Sequence, residues 1–291
     1  MARLFGRKYK LTIDRTLVIE QLDIAFKIVK SITKEPNKGE VKVYGLSDDT
    51  RGKLEKQRNR LGSTSNPVKL ELEVGYEGQT SVIFSGDVST IYSRRAAADI
   101  VTTFASADGI AQVRTGRVSF GVKPGTKILD VAKQVVRKGG LSIGNLEKAF
   151  ASATITDLGS TFPEGTVVDG SAYDELTRIA DSAGFEVSIQ NGVLQVKTKG
   201  HALDDEAVDL NDDTGLVDSP TVEVNQDPTK PSKGEKYVKA KSLLIPGLFP
   251  GRKVKLKSEG FNGEYEIAAI EYSGETFGQD WYAEMKLRPT K

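Results

Sequence analysis

Three observations predict a mainly β protein with an α+β middle domain. Apolar residues alternate with Lys and Glu in Lys253-Val254-Lys255-Leu256-Lys257 and again over 264–272, within a run of strands and short turns from Tyr237 to Pro289. The same strict alternation governs 68–74 near the start. Between these regions, over 117–199, the apolar spacing changes to that of helices. A period of two marks strands with one packed and one wet face, and a period near 3.6 marks amphipathic helices.

Residues 1–116 read as strands with one helix. Lys10-Leu11-Thr12-Ile13 and Leu17-Val18-Ile19 flank a tight turn at Asp14-Arg15-Thr16, and Leu22, Ile24, Phe26 and Ile28 give a longer strand one buried face. Glu35-Pro36-Asn37-Lys38-Gly39 is expected as a turn, because Pro presets φ and Asn and Gly tolerate positive φ. The strand 40–44 ends in Tyr44, Gly45 and Leu46, and Ser47 caps an outer helix over about 47–60, with acids first and bases last. Strands at 68–74, 82–92 and 99–105 complete a compact barrel or sandwich.

Residues 117–199 carry a short strand at 118–120 and a helix capped by Pro124-Gly125-Thr126 and stopped at Gly139-Gly140. A second helix opens at Ser171 and ends before Gly184. Alternating strands at 185–190 and 193–197 then flank Asn191-Gly192, a strong hairpin signal.

Residues 200–291 return to strands. The acidic runs Asp204-Asp205-Glu206 and Asn211-Asp212-Asp213 lack calcium-loop ligand spacing and read as solvated loops. After a strand at 221–224, the Pro- and Gly-bearing stretch 225–236 is expected as a polar loop that a partner orders. An apolar strand at 242–245 breaks at Pro246-Gly247 and again at Pro250-Gly251, and Gly260-Phe261-Asn262-Gly263 is expected as a turn. The last strand starts at Trp281, where a lone Trp reads as a core or barrel-end plug.

Composition narrows the chemistry. The 291 residues carry 41 Lys and Arg against 40 Asp and Glu, so bulk positive charge does not point to nucleic acid. With no cysteine and a single histidine, His201, thiol catalysis, Cys-ligated zinc and two-histidine metal sites have no residues to use. Gly6, Gly45, Gly75 and Gly78 sit among strands, outside the strand-to-helix context of a phosphate loop. No apolar run is long enough to span a membrane. No catalytic residue, cofactor site or metal site is expected.

The stretch from Thr33 to Arg51, with its Pro36-Asn37 turn, Tyr44-Gly45-Leu46-Ser47 strand end and polar helix, resembles the start of baseplate hub proteins of contractile-tailed bacteriophages. The runs 243–252, 260–265 and 278–282 resemble the closing barrel of such hubs, and 171–199 resembles their middle domain. The resemblance covers nearly the whole chain. It marks Pro36, Asn37, Tyr44, Leu46, Pro246, Gly247, Asn262, Gly263 and Trp281 as structural motif residues. It implies two tube-like β-barrel domains, 1–116 and 200–291, flanking an α+β domain at 117–199. It further implies a homotrimer whose pseudo-sixfold ring joins a sixfold tail tube to a threefold central spike. Baseplate wedge proteins, a tape-measure protein and DNA sliding through the lumen would be its partners, in a virion assembled in the host cytoplasm.

Two other readings stay open. A cell-wall glycan hydrolase needs two carboxylates at a set separation, and none of the many Asp and Glu stands in a distinctive motif. A carbohydrate- or receptor-binding tail module would use Tyr272, Phe277, Trp281 and Tyr282 as a platform.

Overall fold

The computed structural model describes residues 5–63, 65–109, 115–152, 161–203, 206–225 and 235–290. Residues 226–234 of the expected polar loop, and Asp204 and Asp205 of the acidic run, lie outside the described residues.

The first part of the chain holds β1 (Arg7–Ile13), β2 (Leu17–Ile19), β3 (Ile24–Ser31), β4 (Lys38–Tyr44), α1 (Asp48–Gln57), β5 (Lys69–Tyr76), β6 (Gln79–Ala96) and β7 (Asp99–Ala107). The middle holds β8 (Arg117–Val122), α2 (Ile128–Lys138), α3 (Leu146–Ser152), β9 (Thr166–Ser171), α4 (Ala172–Ser182), β10 (Phe185–Gln190) and β11 (Val193–Thr198). The last part holds β12 (Ala207–Leu210), β13 (Thr221–Asn225), β14 (Glu235–Leu243), β15 (Lys253–Ser258), β16 (Phe261–Glu275) and β17 (Trp281–Pro289).

One 13-stranded sheet runs through both ends of the chain in the order β13-β14-β17-β16-β3-β4-β7-β6-β5-β1-β2. Off that path, β15 pairs with β16 and β12. Two five-strand groups therefore share one strand order: β3-β4-β7-β6-β5 and β13-β14-β17-β16-β15. Their long strands carry a bulge at the same place, at Ser89 in β6 and at Ala268 in β16. A bulge adds one residue and bends its strand, letting the first half pair on one side while the second half turns to another partner. In β16 the first half pairs with β15 and the second half with β3, which welds the two groups edge to edge.

The packed faces of both groups and of the β1–β2 hairpin form one apolar core, including Leu11, Phe84, Phe104, Ile270, Tyr272 and Trp281. The middle segment has its own core, in which α2 and α4 pack on each other around Val131, Val135, Leu176 and Ile179. Burial of such side chains contributes roughly 1.5–3 kcal/mol each.

Several local expectations shift. The helix after Ser47 changes to a 3-10 turn at Arg58–Arg60 and buries only Leu54, as its sparse apolar residues allow. Gly39 lies inside β4, where an added Cβ would come within 2.8 Å of Ile28 Cδ1 and 2.9 Å of Phe84 Cε1. It is a glycine of close packing, so the expected turn ends before it. The turn expected at 260–263 is instead Glu259-Gly260, with Gly260 at φ 80° supplying the left-handed residue, and Asn262 and Gly263 already pair in β16. The strand expected at 242–245 spans Glu235–Leu243, ending two residues early. The middle segment gains α3 and β9, and α2 begins after Lys127 with no side-chain cap.

Candidate functional site

The wet face of the welded sheet interleaves Lys and Glu side chains. Across β14, β17, β16 and β3, Lys241 stands opposite Glu284, Glu284 opposite Glu271, and Glu271 opposite Val29. Two residues along, Tyr282 stands opposite Ser273, Ser273 opposite Lys27, and Lys27 opposite Glu40 of β4. Lys27 bonds Glu271 at 2.7 Å across the weld, Lys42 bonds Glu40 at 3.0 Å, and Lys239 bonds Glu284 at 3.2 Å. These pairs are largely exposed, so each contributes little to stability. Their effect is to interleave both signs over a broad, shallow groove whose lining holds three lysines and five carboxylates.

Beside this face the β10–β11 hairpin is keyed into both strand groups. At its tip Asn191 and Gly192 adopt φ 54° and 78°, the geometry of a two-residue hairpin turn. The Asn191 side-chain oxygen accepts from Lys30 Nζ at 2.9 Å and from the Ser85 backbone N–H at 3.1 Å. The backbone N–H groups of Asn191 and Gly192 donate to Asp108 at 2.5 and 2.6 Å. Asn37 completes the socket: its amide donates to Asp108, to the Ile189 carbonyl and to Gln190, and its oxygen accepts from the Ser31 N–H. Lys30, Asn37 and Asp108 are all buried. Burial lowers the Lys30 ammonium to about 8, and burial raises Asp108 against the opposing pull of Asn37, the turn N–H groups and Lys30.

At the other end of the hairpin, Glu186 and Lys197 meet Glu266 of β16 and Arg288 of β17. Lys197 Nζ lies 2.5 Å from Glu186 and 2.6 Å from Glu266, and Arg288 reaches Glu186 and Glu266 at 2.9 Å each. Two cations and two carboxylates thus close a ring around a fully buried Glu266. Burial alone would raise Glu186, but the bonds from Arg288 and Lys197 hold it below the ordinary carboxylate value. Burial likewise opposes the Arg288 charge, and the two carboxylates raise it above its usual range.

The expected motif residues divide between these places. Asn37 is in the hairpin socket with negative φ, while Pro36 lies just before β4. Tyr44 ends β4, donating its N–H to the Asp23 carbonyl, and Leu46 is buried in the shared core. Pro246 and Gly247 form a turn with Gly247 at φ 88°. Asn262 and Gly263 are strand residues opposite Lys257 and Leu256, and take no part in either junction. Trp281 is buried beside the weld, edge-on to Phe26 with ring centroids 5.5 Å apart, and Arg7 lies over its ring. Sequence reasoning missed Lys30, Asp108, Glu186, Lys197, Glu266 and Arg288. For Lys30 a signal existed, since it continues the Ile24, Phe26, Ile28 alternation onto the packed face.

The aromatic platform of a receptor-binding module is not assembled. Tyr272 and Trp281 are core residues, and the Tyr272 hydroxyl donates to the Leu248 carbonyl at 2.5 Å, whereas Phe277 is exposed. His201 is exposed in the segment after β11. Among the described residues, no three His, Cys, Asp or Glu side chains gather to hold a metal ion, and no helix is long and apolar enough to cross a membrane.

A duplicated strand group welded into one sheet, with its two buried polar clusters at the hairpin joints, fits a structural protein. Comparison with known proteins agrees. The family model described as baseplate hub gp41 matches residues 8–286. The chain belongs to the baseplate hub gp41 family, and its role is that of a structural component of a bacteriophage tail baseplate. Among solved structures, it is similar in fold to the 43 kDa tail protein of prophage MuSo2 from Shewanella oneidensis, at 12% identity and a TM-score of 0.63, over 98% of each chain. A tail protein from Neisseria meningitidis MC58 is similar at 11% identity and a TM-score of 0.63, over 97% of this chain and 96% of that one. The E. coli c3393 protein, a type VI secretion component with structural similarity to T4 tail proteins gp27 and gp5, is similar at 11% identity and a TM-score of 0.57, over 97% and 77%. No curated protein sequence matches the chain.

Proposed function

We propose that three copies of this chain form a ring of six strand groups that joins a sixfold tail tube to a threefold central spike. Residues 1–116 and 200–291 act as the two tube-forming domains, and 117–199 as the domain that braces them. One observation carries this reading: the same strand order occurs twice, and the two groups are already joined edge to edge within one chain. Three chains then present six near-equivalent groups to a sixfold partner while remaining threefold towards the spike. Head-to-tail contacts of this kind give a closed ring when their rotation closes.

The Lys and Glu ladder is the wall of the enclosed channel. DNA passing such a wall meets no dense array of cations that would hold its phosphates, so it slides without specific binding. The tape-measure protein occupies the same channel before ejection, and wedge proteins contact the outside. Assembly takes place in the host cytoplasm. The protein itself carries out no catalysis. Of the carboxylates that come together, Glu186 and Glu266 are held between Lys197 and Arg288, with Glu186 kept below the ordinary carboxylate value, and Glu271 and Glu284 on the wet face each bond a lysine. A glycoside hydrolase needs one carboxyl raised to serve as acid.

Light scattering at several concentrations, with and without the spike protein, tests the copy number. The reading expects a three-copy mass, at the latest when the spike is added. A persistent monomer with spike present would overturn it.

A further inference from the structure

The hairpin socket holds an amine and an amide in an arrangement that a simple joint does not require. Lys30 is 2% exposed, yet its ammonium faces neutral oxygens, donating to the Ile83 carbonyl at 3.1 Å and to Asn191 Oδ1 at 2.9 Å. With a C=O bond of about 1.23 Å, the second contact puts Nζ no more than about 4.1 Å from the Asn191 side-chain carbonyl carbon. Atoms about 3–3.5 Å apart are poised to react, so a small side-chain rotation completes the approach.

Three further properties of the socket suit acyl transfer from this amide to this amine. Burial brings Lys30 down to about 8, with Asp108 the charge that opposes the fall, so roughly a tenth of the amine is neutral and nucleophilic at pH 7. Asn191 Oδ1 also accepts from the Ser85 backbone N–H at 3.1 Å, a fixed donor at the oxygen where negative charge gathers during attack. Asp108, 1% exposed, accepts from the backbone N–H groups of Asn191 and Gly192 and from Asn37, which fixes the turn beside Lys30. The Gly192 nitrogen, which in a free Asn-Gly pair attacks the Asn side chain itself, is thus committed to a carboxylate. Tyr173 of α4 is the other titratable group near Asp108, and burial holds its hydroxyl protonated.

We infer that Lys30 and Asn191 are a reacting pair, which closes an isopeptide bond between β3 and the tip of the β10–β11 hairpin. Neutral Nζ adds to the side-chain carbonyl carbon and forms the new C–N bond. The bond from that carbon to Nδ2 then breaks, and the departing NH2 group takes a proton from Nζ and leaves as ammonia. No electrons are exchanged and no co-reactant is consumed. Asp108 is a positioning residue in this step. The chain has no cysteine, so the bond is its covalent staple between the sheet and the middle segment, whatever the copy number. Freshly made chain carries the free pair, in which Lys30 still titrates, and linking advances as the amine loses its proton.

Intact mass and peptide mapping of the full, unsubstituted chain test this, sampled over days at physiological temperature in mildly acidic and mildly alkaline buffer. The expected result is a loss of one ammonia per chain, accumulating about tenfold faster or more on the alkaline side. Cleavage after Lys and Arg should then release one branched peptide joining residues 28–34, uncut at Lys30, to residues 179–197. Lys30→Arg, where it folds, should keep its ammonia, and the unsubstituted chain decides the matter where it does not. Ammonia loss with only linear peptides is ring closure within Asn191-Gly192, and a gain of one mass unit is hydrolysis of the Asn191 amide; either overturns the inference. An unchanged mass throughout, with linear peptides ending at Lys30 and spanning 179–197, overturns it as well.

Discussion

Tyr272 stands opposite Ile28 in the pairing of β16 with β3, and both side chains are buried. Residues far apart in sequence thereby turn the ends of the chain into one wall. The space around this pair is tightly filled. A Cβ added at Gly274 would collide with the Phe26 ring and come within 2.8 Å of Trp281 Cε3.

Gly274→Ala should therefore destabilise the chain by about 1–3 kcal/mol through overpacking. Trp281→Ala, which empties the same place, should cost about 3–5 kcal/mol. Denaturant unfolding of the two variants checks this. A Gly274→Ala midpoint equal to that of the unsubstituted chain would show that the weld is looser than described.

The charge ring at the hairpin base predicts a coupling. Lys197→Met leaves Glu186 and Glu266 sharing Arg288 alone, with Glu266 fully buried, and should cost about 3–5 kcal/mol. Adding Glu266→Gln rebalances the charges and should recover part of that loss. Additive losses in a double-mutant cycle would mean that the four side chains do not act together.

Stability should respond to pH at both ends of the range. Glu186 holds its proton less tightly when folded, so its contribution is complete above about 4.5 and lost as pH falls through its lowered folded value. Lys30 also binds its proton less tightly when folded, so its burial penalty applies in full below about 8 and is relieved as pH rises from there towards 10.5. Melting curves should show Glu186→Gln flattening the acid limb and Lys30→Met flattening the alkaline rise. Parallel profiles for variants and parent would contradict both assignments.

Local structure was legible where it depends on neighbours in sequence. Ser47 caps α1 by accepting from the Thr50 N–H, and Asn191-Gly192 turns the β10–β11 hairpin, both as their residue types dictate. The joints were not legible, because each depends on a partner far away. Asn37 has the composition of a turn, yet its side chain serves a hairpin more than 150 residues later. Glu266 reads as a wet-face charge and Lys30 as a charge stranded on the packed face, and only the charge ring and the socket make their burial tolerable. The bulge at Ala268 breaks the alternation that would have placed Glu266.

His201→Ala should leave assembly and infectivity near normal and change stability by no more than about 0.5 kcal/mol, since the residue is exposed and meets the charge ring only through its backbone carbonyl, which accepts from Lys197 Nζ at 3.3 Å. Particles that assemble normally but fail to infect would point to chemistry at His201.

The most direct measurement is end-on electron microscopy of the protein bound to its spike. The account predicts a closed ring of six lobes with threefold symmetry, an open centre, and a mass near 95 kDa for three chains of 31.6 kDa. A twofold assembly, a ring with any other number of lobes, or lone monomers on the spike would contradict it.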